Sequence, residues 1–140
     1  MIQRPQTLWL LLSVIAAALS FFFPFATGWM LPTEGTPIKV QVDAGYQLYL
    51  TALTFVIMLL GLVNIFLYGN RHKQQWYCLL GLLLCTLLGA LYVRVLFYEL
   101  KEFVPSLTSL LQVVQWAGFL MAWRGIRHDE RLIKEQDSLR

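Results

Sequence analysis

Four long stretches of the chain contain no charged residue, and charged residues bound each of them on both sides. These stretches cover residues 5–33, 44–70, 74–93 and 103–123. A helix needs about 20 mostly apolar residues to cross the hydrocarbon core of a bilayer. The pattern therefore predicts an all-α fold, an integral membrane four-helix bundle that forms a single membrane domain over residues 1–140. Its spans are expected at about 7–30, 46–69, 75–98 and 104–124.

Lysine and arginine residues are unequally divided between the two sides of this bundle. One side carries Arg4, Arg71, Lys73, Arg124, Arg127, Arg131, Lys134 and Arg140, whereas the other carries Lys39 and Lys101, with Arg94 nearby. Short cytoplasmic loops are enriched in these basic residues. We therefore expect both termini to be cytoplasmic, with an outer loop at about 31–45 and a cytoplasmic tail at about 125–140 that continues helix four.

The composition and the placement of charge argue against a soluble domain and against a nucleic-acid-binding protein. Hydrophobic residues make up 58% of the chain and charged residues 14%, whereas about a quarter of the residues of a soluble domain are charged. The net charge of +3 does not indicate a nucleic-acid-binding protein, because the basic residues lie between and after apolar runs rather than in one patch. Membrane lipids are the expected surroundings, and no nucleic acid is expected as a partner.

The first stretch resembles a signal peptide, since Arg4 precedes an apolar run at 8–23. The run is long, however, and the best cleavage site, after Ala26, has Pro24 where a small residue is needed. We therefore expect a retained helix, which Pro24 kinks near its outer end.

The outer loop contains a strand-like pattern. Ile38, Val40 and Val42 alternate with Lys39 and Gln41, which is the period of two that is typical of a β-strand. A single short strand is not stable by itself. The pattern therefore predicts a pairing strand, which another protein could supply.

Helix three carries a stripe of small residues. Cys78, Gly81, Cys85 and Gly89 fall within about 80° of one another on a helix. Small residues at this spacing let helix backbones approach closely in lipid, so we interpret the stripe as a helix-packing surface. A redox or metal role for the two cysteines is the alternative. The sequence has no CxxC or Cys/His zinc spacing, and we expect no metal and no cofactor.

Helix four is predicted to carry a polar intramembrane face formed by Thr108, Gln112 and Gln115, with Ser109 beside it. Polar side chains in lipid usually form hydrogen bonds between helices. Alternatively, they line one wall of a polar path or a small-ligand site. No Asp or Glu lies in the middle of a predicted span, which argues against proton-coupled transport.

Arg94 has apolar residues on both sides near the outer end of predicted helix three. Its side chain is expected to extend to the outer headgroups or to pair with Glu99 or Glu102. The alternative is a partner or lipid contact in the outer leaflet.

The tail has two favourable i,i+4 pairs, Glu130 with Lys134 and Arg131 with Glu135. Its apolar residues form only a loose stripe. It is expected to be either a solvated helix end or a docking helix for a partner.

Three segments resemble those of a known family. They are Met1 to Thr7 at the start, Ile65 to Gln74 between helices two and three, and Arg124 to Arg140 at the end. They resemble a family of small bacterial membrane proteins common in Bacteroidota, which is catalogued as a domain of unknown function. The resemblance implies four spans in the bacterial inner membrane. It implies no activity, cofactor or site.

These observations predict packing surfaces but no chemistry. No Ser/His/Asp arrangement, phosphate-binding loop or paired carboxylate is present, so we expect no enzyme. The first hypothesis is a structural or accessory subunit of an inner-membrane protein assembly, with other membrane subunits or a homo-oligomer as partners. The alternative is a small oligomeric transporter or channel that uses the Thr108, Gln112 and Gln115 face. A membrane redox enzyme is the weakest hypothesis, because the only two thiols lie on one helix.

Overall fold

The structure is a computed structural model, and it describes residues 5–140. Arg4, which the sequence assigns to the cytoplasmic side, lies outside the described residues. Residues 5–140 are mostly helical and form four α-helices and three short strands. In chain order these are α1 (Pro5–Leu19), β1 (Ala26–Met30), β2 (Ile38–Val42), α2 (Leu48–Phe66), α3 (Arg71–Tyr98), β3 (Glu102–Pro105) and α4 (Leu110–Ser138).

The prediction of four helices is confirmed, but their lengths differ from the predicted spans. Within residues 5–140, α2 and α3 are the helices that are both long and apolar enough to cross a membrane. α1 has 15 residues, which gives a length of about 22 Å, and the hydrocarbon core is about 30 Å thick. The observed bounds of α2 and α3 lie close to the predicted spans at 46–69 and 75–98.

The predicted first span at 7–30 is wrong as a continuous helix, because α1 ends at Leu19. The residue before a proline is disfavoured in the helical conformation, so Pro24 prevents the helix from continuing instead of kinking it. The chain turns through Ser20 to Phe23, where the amides of Phe22 and Phe23 bond to the Leu19 carbonyl. It then enters β1.

The three strands form one antiparallel sheet in the order β2-β1-β3. Ala26 pairs with Val42 on one side and with Pro105 on the other. The strand predicted at 38–42 is therefore confirmed. The pairing strand that the pattern predicted is β1 of the same chain. The predicted fourth span from 104 is also corrected, since Glu102–Pro105 is strand and α4 starts at Leu110.

The four helices form a closed ring. α1 packs against α2 and α4, and α3 packs against the same two helices. The sheet follows α1 and α3 and precedes α2 and α4, so it covers one end of the bundle, here called the sheet end. The opposite end, with the α2–α3 turn and the extension of α4, is the tail end.

Aromatic stacking and hydrogen bonds join separate segments of the chain at the sheet end. The rings of Phe25 and Tyr92 are stacked, with centroids 4.5 Å apart and planes at 8°. The Gln47 amide donates to both carboxylate oxygens of Glu99 at 2.9 and 2.8 Å, and the Tyr46 hydroxyl donates to the same group at 3.2 Å. Glu99 therefore joins the start of α2 to the end of α3.

Candidate functional site

The small-residue stripe of α3 differs in its surroundings along the helix. The thiols of Cys78 and Cys85 are free and buried, and the Asn64 amide donates to the Cys78 sulfur at 3.0 Å. Gly81 lies under the Phe119 ring, where an added Cβ would be 2.5 Å from a ring carbon. Gly89 is open, since the nearest atom to an added Cβ is the Gln112 Cγ at 4.0 Å. The stripe is thus covered by α4 at Gly81 but not at Gly89.

Gly89 opens into a groove on the outer surface of the bundle between α3 and α4. This α3–α4 groove has a volume of about 260 Å³, and it is lined by Cys85, Thr86, Gly89, Gln112, Val113 and Trp116. The Gln112 amide donates to the Cys85 carbonyl at 2.9 Å. The groove presents mainly apolar atoms.

The sequence interpretation included Cys85, Gly89 and Gln112 of this groove but missed its other lining residues, Thr86, Val113 and Trp116. Thr86 lies three residues before Gly89, and Val113 lies three residues before Trp116. Residues three apart share a helix face, so the spacing on each helix was a usable signal. The pairing of the two faces depends on helix packing, which the spacing does not reveal.

The residues predicted to form one polar face of helix four lie in three different environments. Thr108 and Ser109 belong to a short 3-10 turn before α4, and the Thr108 hydroxyl donates to the Pro24 carbonyl. Gln112 is half-buried and bonds to α3, as described above. Gln115 is completely buried, and neither atom of its side-chain amide has a hydrogen-bond partner among residues 5–140. These residues therefore do not form a continuous polar wall.

Other buried polar side chains join the helices, and the sequence interpretation gave little weight to them. The Ser13 hydroxyl of α1 donates to the backbone carbonyl of Gln115 in α4 at 2.9 Å. The side-chain amide of Gln74 in α3 donates to the backbone carbonyl of Asn64 in α2 at 3.2 Å. Gln6 is also buried, near Gly125 of α4. Gln6 and Gln74 lie near the ends of the apolar stretches, where hydropathy alone marks them as surface residues.

Gln115→Leu tests whether the buried amide is only a structural element. A buried polar group without a partner costs about 1–3 kcal/mol, and leucine has a similar size. We expect the free energy of unfolding in detergent to increase by about 1 kcal/mol. Gln112→Leu is the matched control, and it should decrease stability because it removes the bond to Cys85. A loss of stability in Gln115→Leu would instead indicate that Gln115 holds a bound water or ligand.

Arg94 is exposed on α3 near the sheet end. The predicted pairing with Glu99 or Glu102 is wrong, because the ion pair found within residues 5–140 is Lys134–Glu130 alone. Glu99 instead accepts the hydrogen bonds from Gln47 and Tyr46. A lipid or partner contact of Arg94 stays a prediction.

The tail continues α4 as predicted, to Ser138. The Glu130–Lys134 pair is confirmed at 3.1 Å, whereas no ion pair joins Arg131 to Glu135 in the described chain. The Gln75 amide of α3 donates to Glu130 at 2.5 Å. That hydrogen bond, together with Lys134, holds the pKa of the Glu130 carboxyl below its ordinary value. The first part of the tail is therefore attached to α3.

The described residues contain no cluster suited to a metal ion. No group of three or more His, Cys, Asp or Glu side chains converges within residues 5–140. His72 instead accepts a hydrogen bond from the Trp76 indole at 3.2 Å.

These features define a helical bundle that is covered by a small sheet at one end and has an apolar groove on its outer surface. The chain belongs to the family described as domain of unknown function (DUF4293), whose model matches residues 2–139. The predicted resemblance to an uncharacterised domain family is thereby confirmed. Comparisons with curated proteins and with solved structures find no match.

Proposed function

We propose that the protein is an accessory subunit of a membrane-protein assembly. In this proposal all four helices lie in the bacterial inner membrane, with both termini on the cytoplasmic side. The α3–α4 groove receives one transmembrane helix of a partner protein. The chain performs no catalysis of its own.

The outer surface of the helices supports a membrane location. Large apolar side chains point outward on α1 at Leu8 and Ile15, and on α3 at Leu83 and Leu87, each more than two-fifths exposed. A soluble monomer rarely exposes contiguous apolar patches larger than a few hundred Å². Lipid or a partner helix would cover such faces, and α2 and α3 have the length and hydropathy of spans.

The empty space beside Gly89 is the main observation that supports the accessory role. The chain uses three other helical glycines for its own packing: Val14 lies against Gly61, Phe119 against Gly81, and the Trp9 carbonyl against Gly118. Nothing in the described chain fills the space beside Gly89. Small residues are enriched where transmembrane helices meet, because they let the backbones approach closely. The open glycine therefore favours a helix from another molecule.

The oligomeric transporter alternative has less support. The Thr108 hydroxyl and the Gln112 amide each donate a hydrogen bond to a carbonyl group of the same chain. The small cavity beside Gln112 and Tyr92 has a volume of about 10 Å³, which is near the minimum for one water molecule.

Gly89→Leu should block the partner without unfolding the protein. The leucine side chain would occupy the α3–α4 groove, where an added Cβ has no close neighbour. We expect recovery of the partner in a tagged pull-down from native membranes to fall by about tenfold, which corresponds to about 1.4 kcal/mol. The melting temperature of the purified protein should stay near that of the wild type.

Ala90→Leu is the matched control, because it adds the same bulk to an exposed position next to the groove. A photo-crosslinking residue at Val113 should link to the partner recovered in the pull-down. Crosslinking to a second copy of this chain would contradict the accessory role and support a homo-oligomer. Equal recovery of the partner by Gly89→Leu and the wild type would exclude the groove as the docking site.

A further inference from the structure

We propose that the tail end of the bundle binds the headgroup of an anionic phospholipid. The binding site is a second groove between α3 and α4, nearer to the tail than the α3–α4 groove described above. This headgroup groove is formed by His72, Trp76, Trp123, Arg124, Arg127 and Arg131. The proposal rests on the proposed membrane location and adds a specific lipid to it.

Two adjoining cavities make up the headgroup groove. One has a volume of about 310 Å³ and includes His72 and Trp76 of α3. The other has a volume of about 340 Å³ and includes Arg124 and Arg131 of α4. Trp123 and Arg127 line both cavities. The two cavities therefore form one continuous surface that crosses from α3 to α4.

The headgroup groove is strongly basic. Arg124, Arg127 and Arg131 follow the i, i+3, i+7 spacing of one helix face, over about 10 Å of helix rise. None of the three forms an ion pair within residues 5–140. Nearby on α4, Glu130 is bound by Gln75 and Lys134. The guanidinium groups are thus available for an external anion.

One of these arginines is held in position by an aromatic ring. The Arg127 guanidinium lies over the Trp123 ring, 4.8 Å from its centroid. Such stacking restrains the planar group, whose N–H donors match the oxygens of a phosphate in a two-point contact. The donors of Arg127 are therefore pre-arranged for a phosphodiester.

The surroundings favour a lipid over a soluble anion. Trp76 is 63% exposed, and tryptophan is enriched at the level of lipid headgroups. Leu79 lines the same cavity on the side toward the middle of the bundle, and Leu83 continues this exposed apolar surface along α3. A ligand that fits both surfaces has an anionic head and apolar chains. Basic pockets between helices on the cytoplasmic side bind such headgroups.

The test measures lipid retention by native mass spectrometry. The full chain is placed in nanodiscs with equal amounts of phosphatidylcholine and phosphatidylglycerol and is then released for measurement. We expect the wild type to retain phosphatidylglycerol in preference to phosphatidylcholine. The combined variant Arg124→Gln, Arg127→Gln, Arg131→Gln should lose this preference by about tenfold or more, because it removes all three guanidinium groups that would form charge-assisted hydrogen bonds with the phosphate.

A control variant with the same loss of charge separates a defined site from general attraction. The control variant Arg71→Gln, Lys73→Gln, Arg140→Gln removes three charges from the tail end but none from the headgroup groove. It should retain phosphatidylglycerol like the wild type. An equal loss in both triple variants would overturn the proposal. Arg127→Lys keeps the charge but removes the planar group, and it should show an intermediate loss.

Three further outcomes have distinct meanings. A chain that stays in phosphatidylcholine vesicles after alkaline washing but shows no lipid preference would overturn the headgroup groove and leave the proposed function standing. A chain that the wash removes from vesicles of either lipid would overturn the membrane location and the headgroup groove together. Displacement of the retained lipid by inorganic phosphate would show that the groove binds free phosphate, and this would also overturn the proposal.

Discussion

Gly118→Leu should prevent α1 from packing against α4 and leave a protein that does not form the closed bundle. An added Cβ at Gly118 would lie 2.7 Å from the Trp9 carbonyl oxygen and 2.8 Å from the Ser13 Cβ. The oxygen belongs to the backbone of α1, so no change of side-chain rotamer relieves the overlap. The two helices would have to separate.

The expected loss is large for a single substitution. Overpacking of a tight interior costs about 1–3 kcal/mol, and we expect Gly118→Ala to reach the upper end of that range because the overlap involves backbone. Gly118→Leu should exceed it. The measurement is the unfolding transition in mild detergent, followed by circular dichroism.

Gly125→Ala on the same helix is the matched control for this prediction. An added Cβ there would lie 3.4 Å from the Gln6 Cβ, close to an ordinary contact distance. Replacement of glycine by alanine within a helix is worth about 1 kcal/mol in helix propensity, so Gly125→Ala should be neutral or stabilising. If Gly118→Ala had the same unfolding transition as Gly125→Ala, the result would contradict a close contact between α1 and α4 at Gly118.

The sequence interpretation missed this contact although a signal for it was present. α1 has Ser13 and Ala17 four residues apart, and α4 has Gly118 and Ala122 at the same spacing. Small residues four apart on both helices are the usual pattern of a close helix pair in lipid. The small residues of α1 are serine and alanine, which mark a packing surface less clearly than the glycines of α3.

Helices α2 and α3 were predictable because polar residues next to their ends in the sequence mark the helix boundaries. Asn70 and Arg71 interrupt the apolar pattern between them, and Asn70 accepts a hydrogen bond from the Lys73 amide at 3.3 Å as the N-cap of α3. Such local polar signals mark helix ends well. The closing of the ring by α1 and α4 depends on contacts far apart in sequence, and no local pattern reveals it.

The sheet was largely hidden in the hydropathy pattern for a related reason. Ala26–Met30 is uncharged and apolar, so a count of charge-free residues adds it to the first span. A short apolar run does not distinguish a strand from a helix by periodicity. Only β2 alternates clearly, because Lys39 and Gln41 point to the exposed side.

The same limit applies to the candidate site. The sequence placed Gly81 and Gly89 on one stripe of α3, and the structure gives them different neighbours. Phe119 covers Gly81, whereas Gly89 faces the α3–α4 groove. The difference depends on where α4 crosses α3, and this crossing is a property of the whole bundle.

Gly28→Val should separate β3 from β1 while the helices remain folded. Gly28 lies in the central strand, where it pairs with Val40 and with Phe103. An added Cβ would lie 2.6 Å from the Glu102 carbonyl oxygen and 2.9 Å from a methyl group of Leu100. The overlap with backbone forces the strands apart, and we expect a local loss of about 3 kcal/mol or more.

Hydrogen–deuterium exchange measures this effect, because it reports the opening of separate parts of a protein. Exchange should become faster in β1 and β3, including the Lys101 amide, which donates to the Trp29 carbonyl at 3.2 Å. Thr27→Val is the matched control, since successive side chains of a strand point to opposite faces. The valine side chain in this control would point to the face opposite Leu100, so hydrogen–deuterium exchange should stay unchanged.

The pattern of exchange along α3 then decides whether the sheet acts locally. Phe25 immediately precedes β1 and stacks on Tyr92, so exchange in Gly28→Val should also rise near Tyr92 at the sheet end of α3. It should not rise between Gln74 and Cys78, because Asn64 of α2 holds both of those side chains at the tail end. A uniform rise along α3 would mean that the sheet supports the whole bundle, and it would contradict a local role.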